Sequence, residues 1–339
     1  MTHELSTLLL PSHWAGADLA KQSLELALWG HEDLPQRRVR SFPRTRDAAP
    51  ALLTWMKAQA PEGTQFGLVM EATGTFAEEL ANWLLDLEPG LYIAIVNPTQ
   101  IHAYTKSLGL RNKTDSLDAR AIAGFGQERK PRAWDKPLPA LVELKDLTRT
   151  RADLVDTGVA MRLRLKDHPR AAKGATKALE YIIKTLDQQI EKLEAAIRAH
   201  LDRHETLRTQ VKRLTSIKGV GLITAVTIVG ELGDLRRFTR SRQLTAFAGV
   251  SPRKKESGTS VRGRTRLCKQ GNARVRTALY MAAKSAARFN PDLAATYADL
   301  VAKGLHWRSA LGAVMRKLLV LMRAVLKAEQ DWCPNLQAV

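Results

Sequence analysis

Four carboxylates are spaced so that they can work together. Asp18 falls where a first strand, Trp14 to Leu19, runs out. Glu71 closes a short apolar run, Phe66 to Met70, that reads as a buried central strand. Asp115 and Asp118 stand three apart at the start of a helical pattern and so share a face. Carboxylates at strand ends and on one helix face can hold two hard divalent cations. Such a pair clamps the attacking and leaving oxygens of a phosphoryl transfer. The plainer alternative makes Asp115 and Asp118 a helix-start acid and a solvated one. Arg111, Asn112 and Lys113 precede them and would set phosphate contacts beside the metals.

Two further segments carry chemistry-bearing residues. In Thr215-Ser216-Ile217-Lys218-Gly219-Val220-Gly221 a Gly-x-Gly turn opens an apolar helix. Exposed backbone N–H groups there suit a phosphate, as in a helix-hairpin-helix turn that grips DNA without reading bases. A plain interhelical turn fits the same residues. Between Arg236 and Arg276 lie 13 Lys or Arg and one acid, Glu256, a net +12 in 41 residues. Inside it sits Ser257-Gly258-Thr259-Ser260. A serine among guanidinium groups can attack a phosphodiester while its neighbours stabilise the charge that develops. A hydroxyl-rich DNA-contact loop is the other reading.

The elements that must position these groups fall into three segments. Residues 1–130 alternate strand and helix. A strand pair spans Trp14 to Leu19 and Ser23 to Trp29, with a third strand at Arg38 to Phe42. Then come a helix over Ala49 to Ala58, the Phe66 strand, a helix over Phe76 to Leu87, a strand over Tyr92 to Val96 and a helix over Asp115 to Gly124. Pro131, Pro137 and Pro139 mark a boundary. Residues 131–210 form a helical middle. Leu179, Ile183, Leu186, Ile190, Leu193 and Ile197 make a heptad seam there, and Pro169 and Gly174 divide two arms. An antiparallel hairpin and an intermolecular coiled coil both fit. Residues 211–339 are mainly helical, with helices over Ala273 to Phe289, capped by Asn272, and over Ser309 to Glu329.

Composition narrows the partners. The 339 residues carry 53 Lys and Arg against 34 Asp and Glu, a net +19, so a polyanion, nucleic acid first, is expected. A 45% hydrophobic content excludes a disordered basic tail, and 6% aromatics argue against a base-stacking single-strand binder. Cys268 and Cys333 cannot build a disulfide framework, so a reducing cytoplasm is expected. Residues 1–10 lack a basic leader, and Arg316, Lys317 and Arg323 interrupt the most apolar stretch. Neither a secretory signal nor a membrane association is therefore expected. No Gly-x-x-x-x-Gly-Lys loop indicates an ATP motor. The eight histidines offer no close pair for a metal, and Met281 and Met315 read as core.

These motifs together resemble a known family. Gly16-Ala17-Asp18, Glu71-Ala72-Thr73-Gly74, Asn97-Pro98 and the run from Arg111 to Arg120 look like the DEDD transposases of insertion sequence family 110. Ala248-Gly249-Val250-Ser251-Pro252, Ser257-Gly258-Thr259-Ser260, Lys269-Gln270-Gly271-Asn272 and Arg276-Thr277-Ala278-Leu279 are similar to its C-terminal half. The likeness runs from about residue 14 to 327, with Ala17 replacing the more usual Ile or Val.

The resemblance implies a RuvC-like RNase H fold at the N-terminus, a coiled-coil middle that dimerises and a C-terminal transposase domain. Asp18, Glu71, Asp115 and Asp118 would be a Mg²⁺ tetrad. Ser257 would attack DNA to give a phosphoserine link, with Ser260 its nearest competitor. The expected partners are element and target DNA, a structured non-coding bridge RNA and further copies of the chain, as a dimer or tetramer. The tetrad of one protomer would complete the serine site of another. Arg111, Lys113, Lys218, Gly219, Gly221, Arg253, Arg262, Lys269, Asn272 and Arg276 would contact nucleic acid near the nucleoid. A site-specific invertase shares both motifs. A hydrolytic nuclease such as a junction resolvase would need the carboxylates alone, and a vestigial binding protein neither.

Overall fold

The computed structural model describes residues 10–29, 39–59, 63–109, 115–167, 172–253, 256–257, 261–262, 266–268 and 270–334, with backbone alone at 115–116, 256–257, 261–262 and 266. Two compact units meet in sequence at Lys136 and Pro137.

The first unit is a three-layer α/β structure. Its elements in order are β1 (His13–Leu19), β2 (Ser23–Leu28), β3 (Val39–Pro43), α1 (Ala49–Lys57), β4 (Phe66–Glu71), α2 (Phe76–Leu87), β5 (Tyr92–Val96), α3 (Pro98–Ser107) and α4 (Asp115–Arg129). The strands form one sheet in the order β3-β2-β1-β4-β5. β1, β2 and β3 pair antiparallel, whereas β1, β4 and β5 run parallel. Alternation along each strand sorts the side chains into two cores. Ala15, Ala17, Leu19, Leu68, Met70 and Ile93 pack with α1 and α2 residues such as Leu52, Leu80 and Leu84. Trp14, Val69, Tyr92 and Ala94 pack with Ile101 and Tyr104 of α3 and with Ile122 and Phe125 of α4.

Helix α3 was not foreseen from the sequence. Asn97 caps it by accepting a hydrogen bond from the Thr99 amide, and Pro98 occupies its first turn, so Asn97-Pro98 is a helix start and not merely a strand end. Helix α4 runs to Arg129, beyond the expected Gly124. Its small and apolar middle, residues 121–126, is buried, with Ala119 before it, while both ends carry charged residues.

The second unit is helical. It comprises α5 (Pro139–Asp167), α6 (Lys173–Arg203), α7 (Glu205–Thr215), α8 (Leu222–Leu232), α9 (Ser241–Phe247), the two-residue strands β6 (Pro252–Arg253), β7 (Glu256–Ser257), β8 (Val261–Arg262) and β9 (Arg266–Leu267), then α10 (Ala273–Phe289), α11 (Pro291–Ala302) and α12 (Trp307–Ala328). α5 and α6 form an antiparallel hairpin within one chain. Arg151 pairs with Glu194, Arg162 with Asp187, and Arg203 with Glu143, so low numbers on one helix meet high numbers on the other. Of the heptad seam, Ile197 is fully buried and the remaining positions are half-buried. Residues 168–171, including Pro169, lie outside the described residues, and Gly174 sits inside the first turn of α6.

The base of the hairpin joins the C-terminal core. Leu144, Ile197 and Leu201 cluster with Val226, Val229, Leu279, Leu318 and Met322. Met315 is core as expected, but Met281 is 58% exposed, because it falls on the outer face of α10. Arg323 is buried in α12 and donates to the carbonyls of Phe238 and Thr239, which ties the approach to α9 onto the core. None of the described helices is long and apolar enough to cross a membrane.

Candidate nucleic-acid-processing site

Sheet register brings two of the four carboxylates side by side. Ala17 of β1 pairs with Met70 of β4 in parallel register, so the next residues, Asp18 and Glu71, are neighbours at the carboxyl ends of adjacent strands. Both follow the alternation of Gly16 and Val69 onto the face covered by α4. Each is half-buried.

The third and fourth carboxylates arrive on α4, and its direction can be read from contacts. A Cβ placed on Gly16 would stand 2.2 Å from the Ala123 nitrogen and 2.4 Å from the Ala119 oxygen. One placed on Gly126 would meet the Trp14 ring at 2.7 Å. Helix numbers rise as strand numbers fall, so α4 lies antiparallel to β1 and starts at the strands' carboxyl edge. Asp115 and the half-buried Asp118 occupy that first turn. The Asp115 side chain is outside the described residues, as are Arg111 and Lys113. Register also sets Glu25 of β2 opposite Asp18, a further acid that strand alternation alone would have revealed.

This edge offers carboxylate oxygen only. That donor set fits a hard divalent cation such as Mg²⁺, which takes few protein ligands and keeps several waters. Among the described side chains the carboxylates do not close into a three-ligand cage. Glu143, His200 and His204 do, with ligating atoms within 4.8 Å of one another. This overturns the expectation that no histidines pair. His200 and His204 stand one helical turn apart with rings 4.5 Å apart, and the His-x-x-x-His spacing was visible in the sequence.

In the second unit, the Lys218 turn joins α7 to α8. Ile217 and Val220 are buried beneath it while Lys218 and Gly221 are exposed. Gly221 caps α8 without a side-chain bond, so its side of the turn leaves the first amides of α8 without a side-chain acceptor from their cap. Gly219 has a packing reason of its own. It adopts φ +100°, and a Cβ would lie 2.6 Å from the backbone of Ala286 on α10.

The basic block becomes a small β-arm. Pro252 and Arg253 of β6 pair with Leu267 and Arg266 of β9, and farther out Glu256 and Ser257 of β7 pair with Arg262 and Val261 of β8. Ser257 is thus the last residue of β7. Its side chain, that of Arg262, and residues 258–260 and 269 (Ser260 and Lys269 among them) lie outside the described residues. Arg253 is exposed. Ser251, at the root, donates its hydroxyl to Thr245. Arg276 donates to the Gly271 carbonyl at 2.9 Å, bracing the same root.

Asn272 is engaged within the protein. Its Oδ1 accepts from the Arg274 and Val275 amides, and its Nδ2 donates to Glu231 at 2.6 Å. The side chain of Glu231 is 1% exposed and also receives two bonds from Arg149, at 2.6 and 2.8 Å. Burial pushes its carboxyl up, but the bonds from Arg149 and Asn272 outweigh that and hold it below the ordinary value of 4.5. The carboxylate therefore stabilises the fold above about pH 4.5, and that contribution is lost as pH falls through the depressed value. Glu231→Gln is expected to lower stability by about 3 kcal/mol at neutral pH, near the low end for a broken buried pair because Arg149 keeps contact with water. It should also flatten the acid limb of a urea-denaturation series. An unchanged acid limb would remove Glu231 from that role.

The amino-acid sequence matches those of known proteins. A family model described as transposase of the IS116/IS110/IS902 family matches residues 211–298, and an IS110-type DEDD transposase model matches residues 15–169. This chain belongs to the IS110 family of transposases. Such a transposase is a DNA recombination enzyme. It is 28% identical over 324 residues to the pilin gene-inverting protein of Moraxella bovis, covering 94% of this chain and 97% of that one. It is 27% identical over an equal span to the corresponding protein of Moraxella lacunata. The transposase for insertion sequence element IS1111A of Coxiella burnetii is 28% identical over 230 residues, 59% of this transposase and 60% of the relative.

Proposed function

We propose that this transposase is an RNA-guided DNA recombinase that exchanges strands through a covalent phosphoserine. The convergence of Asp18, Glu71 and the first turn of α4 on one sheet edge carries the reading. The strand order 3-2-1-4-5 with that edge supports a RuvC-like RNase H fold. Asp18, Glu71, Asp115 and Asp118 bind Mg²⁺ and position the scissile phosphate; bound there, the metal supplies charge stabilisation for phosphoryl transfer. Ser257 Oγ attacks phosphorus as the bond to the leaving deoxyribose oxygen breaks, and that oxygen takes up a proton. Rejoining reverses the step on a second strand. The phosphodiester's energy is kept in the serine ester, so no nucleotide cofactor is required.

The β-arm suits this role. Ser257 lies in β7, whose partner strand β8 carries Arg262, and the exposed Arg253 precedes it in β6. Arg111, Lys113, Lys218, Lys269 and Arg276 neutralise DNA or RNA phosphates, and the amides at Gly219 and Gly221 grip one of them. Base pairing with a bridge RNA reads the sequence, and further copies of the chain complete a dimer or tetramer.

Ser257→Ala is expected to abolish strand exchange and leave nucleic-acid binding within about twofold. The assay incubates protein, Mg²⁺, flanking non-coding RNA and labelled junction DNA, denatures the mixture and looks for DNA bound covalently to protein. An adduct in the wild type and none in the variant supports the serine reading. Cleavage without an adduct means a hydrolytic nuclease.

Inversion is a second reading, favoured by the end-to-end match to gene-inverting proteins. A plasmid with paired sites in inverted orientation separates the two, since inversion flips the interval and transposition moves it.

A further inference from the structure

The base of the helical hairpin carries a cluster to which the proposed strand exchange assigns no role. His200 lies in the last turn of α6 and is fully buried, and His204 is the half-buried residue shared by the end of α6 and the start of α7. Glu143 comes from the start of α5 and is largely exposed. The antiparallel hairpin brings all three together.

The hydrogen bonding of His200 decides its chemistry. Its Nε2 lies 2.9 Å from the Ala140 carbonyl oxygen, which can only accept, so Nε2 carries the proton. In the neutral ring Nδ1 then presents a lone pair. That atom is buried and makes no hydrogen bond. Its near polar neighbour is Glu143 Oε1 at 3.2 Å, another acceptor. The same oxygen already receives a 2.9 Å bond from Arg203, so the carboxylate has a countercharge of its own. A buried lone pair facing a carboxylate and a second imidazole calls for a cation.

We propose that Glu143, His200 and His204 form a divalent transition-metal site best suited to Zn²⁺. Two imidazole nitrogens and one carboxylate oxygen are the donors of a borderline ion, in contrast to the oxygen-only edge of the first unit. The Nε2–H bond to Ala140 is the outer-shell contact that fixes a metal-binding imidazole, and Arg203 does the same for the carboxylate. Ligand bonds of about 2.1 Å put tetrahedral donors roughly 3.4 Å apart. Rotation of Glu143 and His204 closes the remaining distance, and water fills the fourth position. The ion would pin the first turns of α5 to the α6–α7 junction, beside Leu144, Ile197 and Leu201, where the arm leaves the core.

The test uses full-length protein, stripped with chelator and held in excess Mg²⁺ so that oxygen-only sites are filled. Zn²⁺ is titrated by calorimetry and Co²⁺ by visible absorption. The expected result is one equivalent per chain with a tetrahedral Co²⁺ spectrum and a rise in melting temperature. His204→Ala should weaken binding by more than the roughly 10- to 100-fold that loss of an outer-shell partner costs. Glu143→Gln, at an exposed position, should act in the same direction, and Asp118→Asn should leave binding unchanged. No stoichiometric binding, binding that survives both ligand variants, or binding lost in Asp118→Asn would each overturn the site.

Discussion

Asp118→Asn is expected to cut strand exchange by about three orders of magnitude or more while the protein folds and binds DNA normally. The substitution keeps size and shape and removes one negative charge from the first turn of α4, beside Asp18 and Glu71. A metal clamp on a transferring phosphoryl group is worth several kcal/mol, and each 1.36 kcal/mol is about tenfold in rate. The same charge contributes only about 0.3–1 kcal/mol to the helix through its dipole. Catalysis and stability should therefore separate cleanly. Single-turnover strand exchange with Mg²⁺ present, alongside a melting curve, measures both. A variant that retains more than a tenth of the wild-type rate would take Asp118 out of the machinery. Asp18→Asn and Glu71→Gln are the matching tests on the strands.

Much of this arrangement was legible in the sequence for simple reasons. Asp18 falls where the Trp14 to Leu19 strand runs out, and Glu71 closes the apolar run Phe66 to Met70, so both acids could be set at strand ends from the sequence without any register. The spacing of Leu179 to Ile197 showed a seam, but a seam does not say which helix fills it. Only the charge pairs from Arg151 to Glu194 and from Arg162 to Asp187 assign it to α5 of the same chain. Other features depended on long-range contact. Glu231 looks like an ordinary surface acid at the end of α8, and nothing local predicts that Arg149 and Asn272 meet it in the core. Asn272 was recognisable as a cap, yet its second bond was not. The histidine pair is different in kind. Its i, i+4 spacing was present in the sequence yet was not read as a pair, and the third member, Glu143, comes from 57 residues before His200.

The packing of α4 makes the second large prediction, and it concerns a residue with no chemistry at all. Gly16→Ala is expected to destabilise the first unit by about 3 kcal/mol, the upper part of the usual overpacking range, and to lower activity by more than the loss of folded protein explains. The added methyl carbon would sit 2.2, 2.4 and 2.8 Å from Ala123, Ala119 and Ile122, and every one of those contacts is with backbone. No rotamer can relieve it, so α4 must lift from the sheet. Its first turn carries Asp115 and Asp118, so a shift there moves two carboxylates away from Asp18 and Glu71. Displacements of about 1 Å at a reacting centre can cost 100-fold. The control is Gly90→Ala, at an open position where no neighbour lies within 4 Å, which should stay within about 0.5 kcal/mol of wild type. Activity is read well below the variant's melting temperature. A Gly16→Ala protein as stable and active as Gly90→Ala would mean that α4 does not lie this close to β1. A stable but inactive one would show that helix and sheet can part without unfolding, and that the carboxylate edge depends on their contact.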